Sequence, residues 1–315
     1  MANTDISLIN KELLFHIEEK VDLINSMRPL SVDTLSRLHD EIKVMHTYHS
    51  NAIEGNTLTL SETKLVLEEG ITIGGKSLRE HLEASNNAKA FDLIEDLARE
   101  NKAIDHMLVQ QVHEIVTKNI LEDAGRYRTK NVRITGAVKT PPDWSKIIKM
   151  LDELFNKVNS SKDSIIETST LLHHGFVEIH PFIDGNGRVA RLLTNLYLMG
   201  NRYPPIILKK EDRLKYYKAL RSADAGNLKP FANFIAKAVD ASLSSYLSIY
   251  GGKDELVPLK DLVPLTPYSQ EYLSLRARQG SLDAVKTGNI WLSSQNSIEK
   301  YMREHAQKRK KEELN

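Results

Sequence analysis

His180-Pro181-Phe182-Ile183-Asp184-Gly185-Asn186-Gly187-Arg188-Val189-Ala190-Arg191 gathers a base, a carboxylate, an amide, two glycines and two guanidinium groups in one short stretch. Periodicity places it between two helices. Residues 163–179 precede it, and Val189, Leu192, Leu193, Leu196 and Met199 mark one face of a buried helix after it. Gly185 and Gly187 permit positive φ and a close backbone approach to a ligand. Their N–H groups can form an anion nest, and a helix starting near Gly187 adds its positive end. Arg188 and Arg191, three apart, can both face back over that helix start, and guanidinium forks suit phosphate oxygens. Asp184 is a hard oxygen ligand suited to magnesium on phosphates. His180 is the group able to act as a base near neutral pH. Together these residues describe a site that binds a nucleoside triphosphate and activates a hydroxyl. The plainer alternative is a helix-capping loop with a surface histidine. No Gly-Lys-Ser/Thr follows the glycines, so this is not a Walker loop. The preceding segment reads as helix, which excludes a dinucleotide fingerprint.

Outward from the loop the chain is mainly α. Apolar positions three and four apart predict helices over 5–26 and 31–52, a restart near Ser61, and further helices over 78–100, 105–119, 143–159, 211–225 and 229–250. The period changes at Asn131–Thr140, where Val132, Ile134 and Val138 alternate around a glycine-centred turn. This is the best hairpin candidate, ended by Pro141-Pro142. Gly251-Gly252, Pro258 and Pro264 read as a linker.

At roughly 150 residues per domain, 315 residues imply about two domains. With 41% hydrophobic and 27% charged residues, the chain is neither disordered nor fibrous. A net charge of +1 names no acidic partner. The absence of cysteine excludes disulfides, thiolate catalysis and Cys-ligated zinc, and fits a reducing compartment. No apolar run approaches the ~18 residues a membrane span needs. The first residues, MANTDISLINKELL, lack the pattern of a secretory leader. The expected location is the cytoplasm, with no membrane partner.

The loop resembles the signature of Fic domains, His-x-Phe-x-Asp/Glu-Gly-Asn-Gly-Arg-x-x-Arg, at every fixed position, and the likeness extends over roughly residues 80–245. Fic enzymes transfer AMP from ATP to a hydroxyl of a target protein, so the resemblance implies a protein adenylyltransferase acting on Ser, Thr or Tyr, the chain itself included. It implies that His180 deprotonates the target hydroxyl, Phe182 anchors the loop and Asp184 binds Mg2+. Asn186 and the 185–187 backbone would hold the α-phosphate, Arg188 the β-phosphate region and Arg191 the γ-phosphate. Relatives that phosphorylate carry Lys where this chain has Gly187, which favours AMP transfer. Asn131–Thr140 would be the flap that aligns the target by main-chain pairing; alone it would read as a solvent-facing hairpin. Tyr216 and Tyr217 would line the adenine pocket, with a core aromatic pair as the alternative.

Ser50-Asn-Ala-Ile-Glu54-Gly55 alone would read as a cap or a solvated face. Beside a Fic loop it resembles the inhibitory motif of Fic proteins with an N-terminal autoinhibitory helix, in which Glu54 would hold Arg191 away from the γ-phosphate. The same Glu serves some relatives in removing AMP, a second expected activity. The implied organisation is an N-terminal piece over 1–75 with the inhibitory helix, a Fic core over 76–250, a linker over 251–264 and a small module over 265–315.

That last segment reads as two short helices joined by Arg278-Gln-Gly280. A strand pair follows at 284–286 and 290–292, turning at Gly288-Asn289. It resembles an excisionase-like winged helix-turn-helix, which supplies the alternative function, a DNA-associated regulator. Its nine basic against six acidic residues make a thin footprint for DNA. A tail mediating homodimerisation or target docking is the other reading. His46, His49, His113, His173 and His174 are expected in packing or surface roles.

Overall fold

The computed structural model describes residues 7–26, 32–133, 139–248, 255–287 and 289–312. In chain order the helices are α1 (Lys11–Ser26), α2 (Val32–Ile53), α3 (Leu60–Glu68), α4 (Leu78–Arg99), α5 (His106–Thr117), α6 (Ile147–Asn159) and α7 (Ile165–Ile179). They continue as α8 (Asn186–Gly200), α9 (Arg213–Asp224), α10 (Lys229–Ser248), α11 (Leu259–Leu262), α12 (Gln270–Gln279) and α13 (Gln295–Glu312). The strands are β1 (Val257–Pro258), β2 (Val285–Thr287) and β3 (Ile290–Ser293). Among the described residues no helix is long and apolar enough to cross a membrane.

The chain divides into two compact units, Met1–Leu30 with Val239–Asn315, and Ser31–Ala238. The sequence groups residues 1–75 together; the fold instead places α1 in the unit of the C-terminal segment. The reason is electrostatic. Lys20 of α1 is buried, and its ammonium lies 2.6 Å from Asp240 Oδ1, 2.7 Å from Asp283 Oδ1 and 2.7 Å from Ser244 Oγ. A buried cation needs such partners, and here they come from α10 and the approach to β2.

In the larger unit α8 is the central helix, packed against α4, α5 and α7. Val189, Leu192, Leu193 and Leu196 are buried among Phe91, Val112, Leu172 and Phe176. Caps fix where the surrounding helices start. Thr59 with Glu62 and Ser77 with Glu80 form capping boxes on α3 and α4, and Asp105 and Ser164 cap α5 and α7. Helix α2 lies along α3, α4 and α8, so its C-terminal end comes to the start of α8.

In the smaller unit the strands form one antiparallel sheet in the order β1-β3-β2, with Val257 opposite Ser293 and Val285 opposite Leu292. Leu259, Leu262, Leu273, Ala277, Leu282, Ile298 and Tyr301 form its core. The strand pair lies within a residue of the expected 284–286 and 290–292. The expected second helix after Gly280 is absent. Gly280 ends α12 in the left-handed region at φ 79°, and too few residues remain before β2 for another helix. The partner of α12 is the upstream α11, which the sequence reading assigned to the linker. The hairpin expected over Asn131–Thr140 falls largely on 134–138, outside the described residues; the flanks 131–133 and 139–140 carry no strand.

Candidate active site

The loop between α7 and α8 is held at both ends by left-handed residues. Gly185 precedes α8 at φ 81°, and a Cβ there would meet Thr117 Cγ2 at 3.1 Å and His113 Nε2 at 3.4 Å. His180 caps α7 at φ 51°, a conformation costing an L-residue roughly 1–2 kcal/mol. Phe182 is fully buried and stacks on the His113 ring, with centroids 3.6 Å apart and planes 3° from parallel. Between these points Asn186 bonds the loop to itself. Its Oδ1 accepts from Phe182 N–H and its Nδ2 donates to Phe182 O, both at 2.9 Å. The Asn186 side chain is therefore committed to the loop, which leaves the backbone N–H groups at the start of α8 to face a ligand.

His180 Nδ1 is buried, so Nε2 is the nitrogen able to meet a hydroxyl. Burial, aided by the Arg128 cation, lowers the His180 pKa to about 4, against the opposing pull of Val177 carbonyl, Glu54 and Asp184. The imidazole is thus neutral at pH 7, as a proton acceptor must be.

Around it lie alternating charges. Asp184 Oδ2 is 2.5 Å from Arg79 Nη2, and Oδ1 accepts from Gly185 N–H at 2.6 Å. Burial acts to raise the Asp184 pKa, but Arg188, the Gly185 N–H and Arg79 outweigh it, and the net direction is down. Arg188 is 2% exposed, with Glu83 Oε1 3.4 Å away and Asp184 Oδ1 3.6 Å away. Its Nε and Nη1 are buried without a hydrogen bond. Arg191 is 3% exposed. Its Nε donates to Ser50 Oγ at 2.8 Å, and Nη2 donates to Ser50 O at 2.9 Å and Glu54 Oε1 at 2.7 Å. Arg191 Nη1 makes no hydrogen bond. Buried guanidinium donors without acceptors fit a phosphate. Asp184, the loop's carboxylate, suits a magnesium ion completed by phosphate and water oxygens.

Tyr216 is buried, its hydroxyl 2.9 Å from His173 Nε2, whereas Tyr217 is half-buried under the Arg213 guanidinium at 5.1 Å. Four site neighbours escaped the sequence reading. Arg79 and Glu83 of α4 pair with loop charges, and Arg128 donates to the His180 carbonyl at 2.8 Å. His113, expected only to pack, also has its Nε2 3.0 Å from the Asp184 carbonyl, while Nδ1 accepts from Gly125 N–H. None of these lies in a motif; Arg128, three residues before the expected flap, offered the nearest signal.

The Fic/DOC family profile matches residues 103–198. A solved fragment of Fic-1 from Caenorhabditis elegans is 33% identical, with a TM-score of 0.68, over 76% of this chain and 72% of that one. This chain belongs to the Fic/DOC family. A Fic domain-containing signaling protein from Bacteroides thetaiotaomicron is 27% identical, with a TM-score of 0.69, over 74% of this chain and 96% of that one. Among proteins named protein adenylyltransferase, Fic of Drosophila virilis is 34% identical over 81% of this chain and 53% of its own length. Caenorhabditis elegans fic-1 is 32% identical over 84% and 53%. The Fic chain described here thus spans about half the length of the curated relatives it matches. The DNA-associated alternative finds no support in these relatives.

Proposed function

We propose that the protein is an adenylyltransferase that moves AMP from ATP to a Ser, Thr or Tyr hydroxyl of a target protein and is held back by Glu54. The observation that carries this is a neutral, buried His180 in one loop with buried Arg188 and Arg191, each of which keeps a guanidinium nitrogen without a hydrogen bond. The names of the relatives support the same activity. In the step, His180 Nε2 takes the hydroxyl proton and the oxygen attacks the α-phosphorus. The bond from that phosphorus to the bridging oxygen breaks, and pyrophosphate leaves. Magnesium held by Asp184 would supply charge neutralisation on the phosphates. The α8 N-terminus receives the α-phosphate, Arg188 the β-phosphate and Arg191, once free of Glu54, the γ-phosphate. Half-buried Tyr217 would meet the adenine. Cytoplasmic protein hydroxyls are the proposed targets.

The test is incorporation from α-labelled ATP into protein. Replacement of His180 by Ala should reduce it by ~10²–10⁴-fold while ATP binding survives, because the phosphate cradle stays intact. Labelling at the parent rate would remove His180 from the role of base.

A further inference from the structure

We propose that Arg79 is a positioning residue of the metal site, the displaceable counter-ion of Asp184, and that it sets how strongly magnesium aids ATP binding. The proposal rests on the adenylyl-transfer reading above and on its assignment of magnesium to Asp184. Four side chains close a ring of alternating charge. Arg79 Nη2 lies 2.5 Å from Asp184 Oδ2, and Arg79 Nε lies 3.1 Å from Glu83 Oε1. Glu83 Oε1 lies 3.4 Å from Arg188 Nη1, and Arg188 Nη2 lies 3.6 Å from Asp184 Oδ1. Two cations thus balance two carboxylates. Asp184 Oδ1 also accepts from the Gly185 N–H at 2.6 Å, so each of its oxygens already has a partner.

Helix α4 by itself gives no reason for an arginine at 79. The residue lies in the first turn, just after the Ser77 cap, where the helix dipole disfavours a cation. Its pair with Glu83 runs with the base four residues ahead of the acid, the weaker order along a helix. The contact that accounts for it is Asp184, 105 residues further along the chain.

A divalent ion joining a balanced ring meets two guanidinium groups, and one of them must give way. Arg188 is fixed, its side chain only 2% exposed. The Arg79 side chain is 54% exposed and that of Asp184 42%, so Arg79 can leave without disturbing the core. It stays tethered through Nε to Glu83, one helical turn along α4. The guanidinium thus has two arrangements, bridging Asp184 and Glu83 or resting on Glu83 alone. An exposed ion pair is worth a factor of about two to five in an equilibrium. Such a pair yields to a divalent ion, yet subtracts measurably from the gain in binding it.

The experiment measures the affinity of the full chain for α,β-methylene ATP, which cannot release pyrophosphate. Calorimetry is run in excess Mg2+ and again in EDTA, and the ratio of the two affinities is read in the parent, Arg79→Met and Arg79→Lys. The inference expects the Met variant to raise that ratio about two- to fivefold. The Lys variant, which keeps a charge but loses the fork, should fall between. In an Asp184→Ala background, Arg79→Met should leave the ratio where it was, because no carboxylate remains to compete for. An equal change in both affinities would make Arg79 a phosphate contact, and a lower ratio would make it a support for Asp184; either overturns the inference. So does a ratio that shifts as far without Asp184 as with it. If magnesium strengthens binding in neither the parent nor the Met variant, the metal reading fails and this inference with it. Magnesium dependence that ignores Arg79 overturns the inference alone.

Discussion

Gly187 and Glu54 share one space: a Cβ on residue 187 would fall on Glu54 Oε1, far inside van der Waals contact, and 3.3 Å from Arg191 Nη1. The bare backbone at 187 is what lets the Glu54 carboxylate, just past the end of α2, reach Arg191 at 2.7 Å. Under the proposed function the glycine would serve two ligands in turn, the Glu54 carboxylate seen here and a phosphate. A side chain at 187, such as the Lys of phosphorylating relatives, is incompatible with this placement of Glu54.

Replacing Glu54 with Gly should raise AMP transfer, onto the protein itself included. The Arg191 guanidinium is buried, so losing its partner leaves a charge that a triphosphate can satisfy. A shift of ~1.4 kcal/mol toward the productive arrangement is tenfold in competent population. Label incorporation from α-labelled ATP measures it, and adding Arg191→Ala should erase the gain. Equal or lower incorporation in the Glu54 variant, with its fold intact by circular dichroism, would refute the inhibitory assignment.

The shared space predicts non-additivity. Gly187→Ala should cost up to about 1 kcal/mol of folding stability in the wild type, because the new Cβ pushes the flexible end of Glu54 off its pair with Arg191. It should cost clearly less when Glu54 is already Gly, because the clashing oxygen is gone. Urea unfolding of the two single variants and the double variant closes the cycle; equal costs in both backgrounds would show that the space is not contested.

Asp184→Ala and chelation by EDTA should each suppress transfer, and the two should not add, since both remove the same ion from the phosphates. The Ala variant also releases Arg79, which holds Asp184 Oδ2 at 2.5 Å. Full activity in EDTA would dismiss the metal assignment.

Acid should destabilise the fold through its histidines. Burial lowers the pKa of His46 to about 3, of His49, His113 and His180 to about 4, and of His173 well below its ordinary value. Unfolded, each binds a proton near pH 6.5. Below that pH the unfolded chain holds more protons, so stability is full above about 6.5 and is lost as pH falls toward 4. Each unit of depression is worth ~1.4 kcal/mol. Urea midpoints at pH 7 and pH 5 should differ accordingly, and His46→Met should shrink the difference. An unchanged difference would show that His46 is not held neutral.

Much of the fold was legible because its determinants are local. Apolar spacing fixed α4, α7 and α8 to within a residue or two, and Ser77 with Glu80 marks a helix start three residues apart. The expected second helix after Gly280 failed for a local reason too, a left-handed stop followed closely by a strand. The site was legible only where its residues are contiguous. Asn186 shows the limit: its type suited a phosphate, yet folding turned both of its polar atoms onto Phe182.

By itself the sequence determined most of the helices, the loop from His180 to Arg191 and the residue types that the proposed triphosphate site would use. Tertiary structure alone decided which charges meet. Arg79 reaches Asp184 across 105 residues of chain, Arg128 reaches His180 across 52, and Lys20 reaches Asp283 across 263. Caps and apolar stripes act within a turn or two of helix, so spacing encodes them. A buried guanidinium or ammonium takes whichever oxygen the packed helices bring within about 3 Å, and no spacing along the chain records that choice.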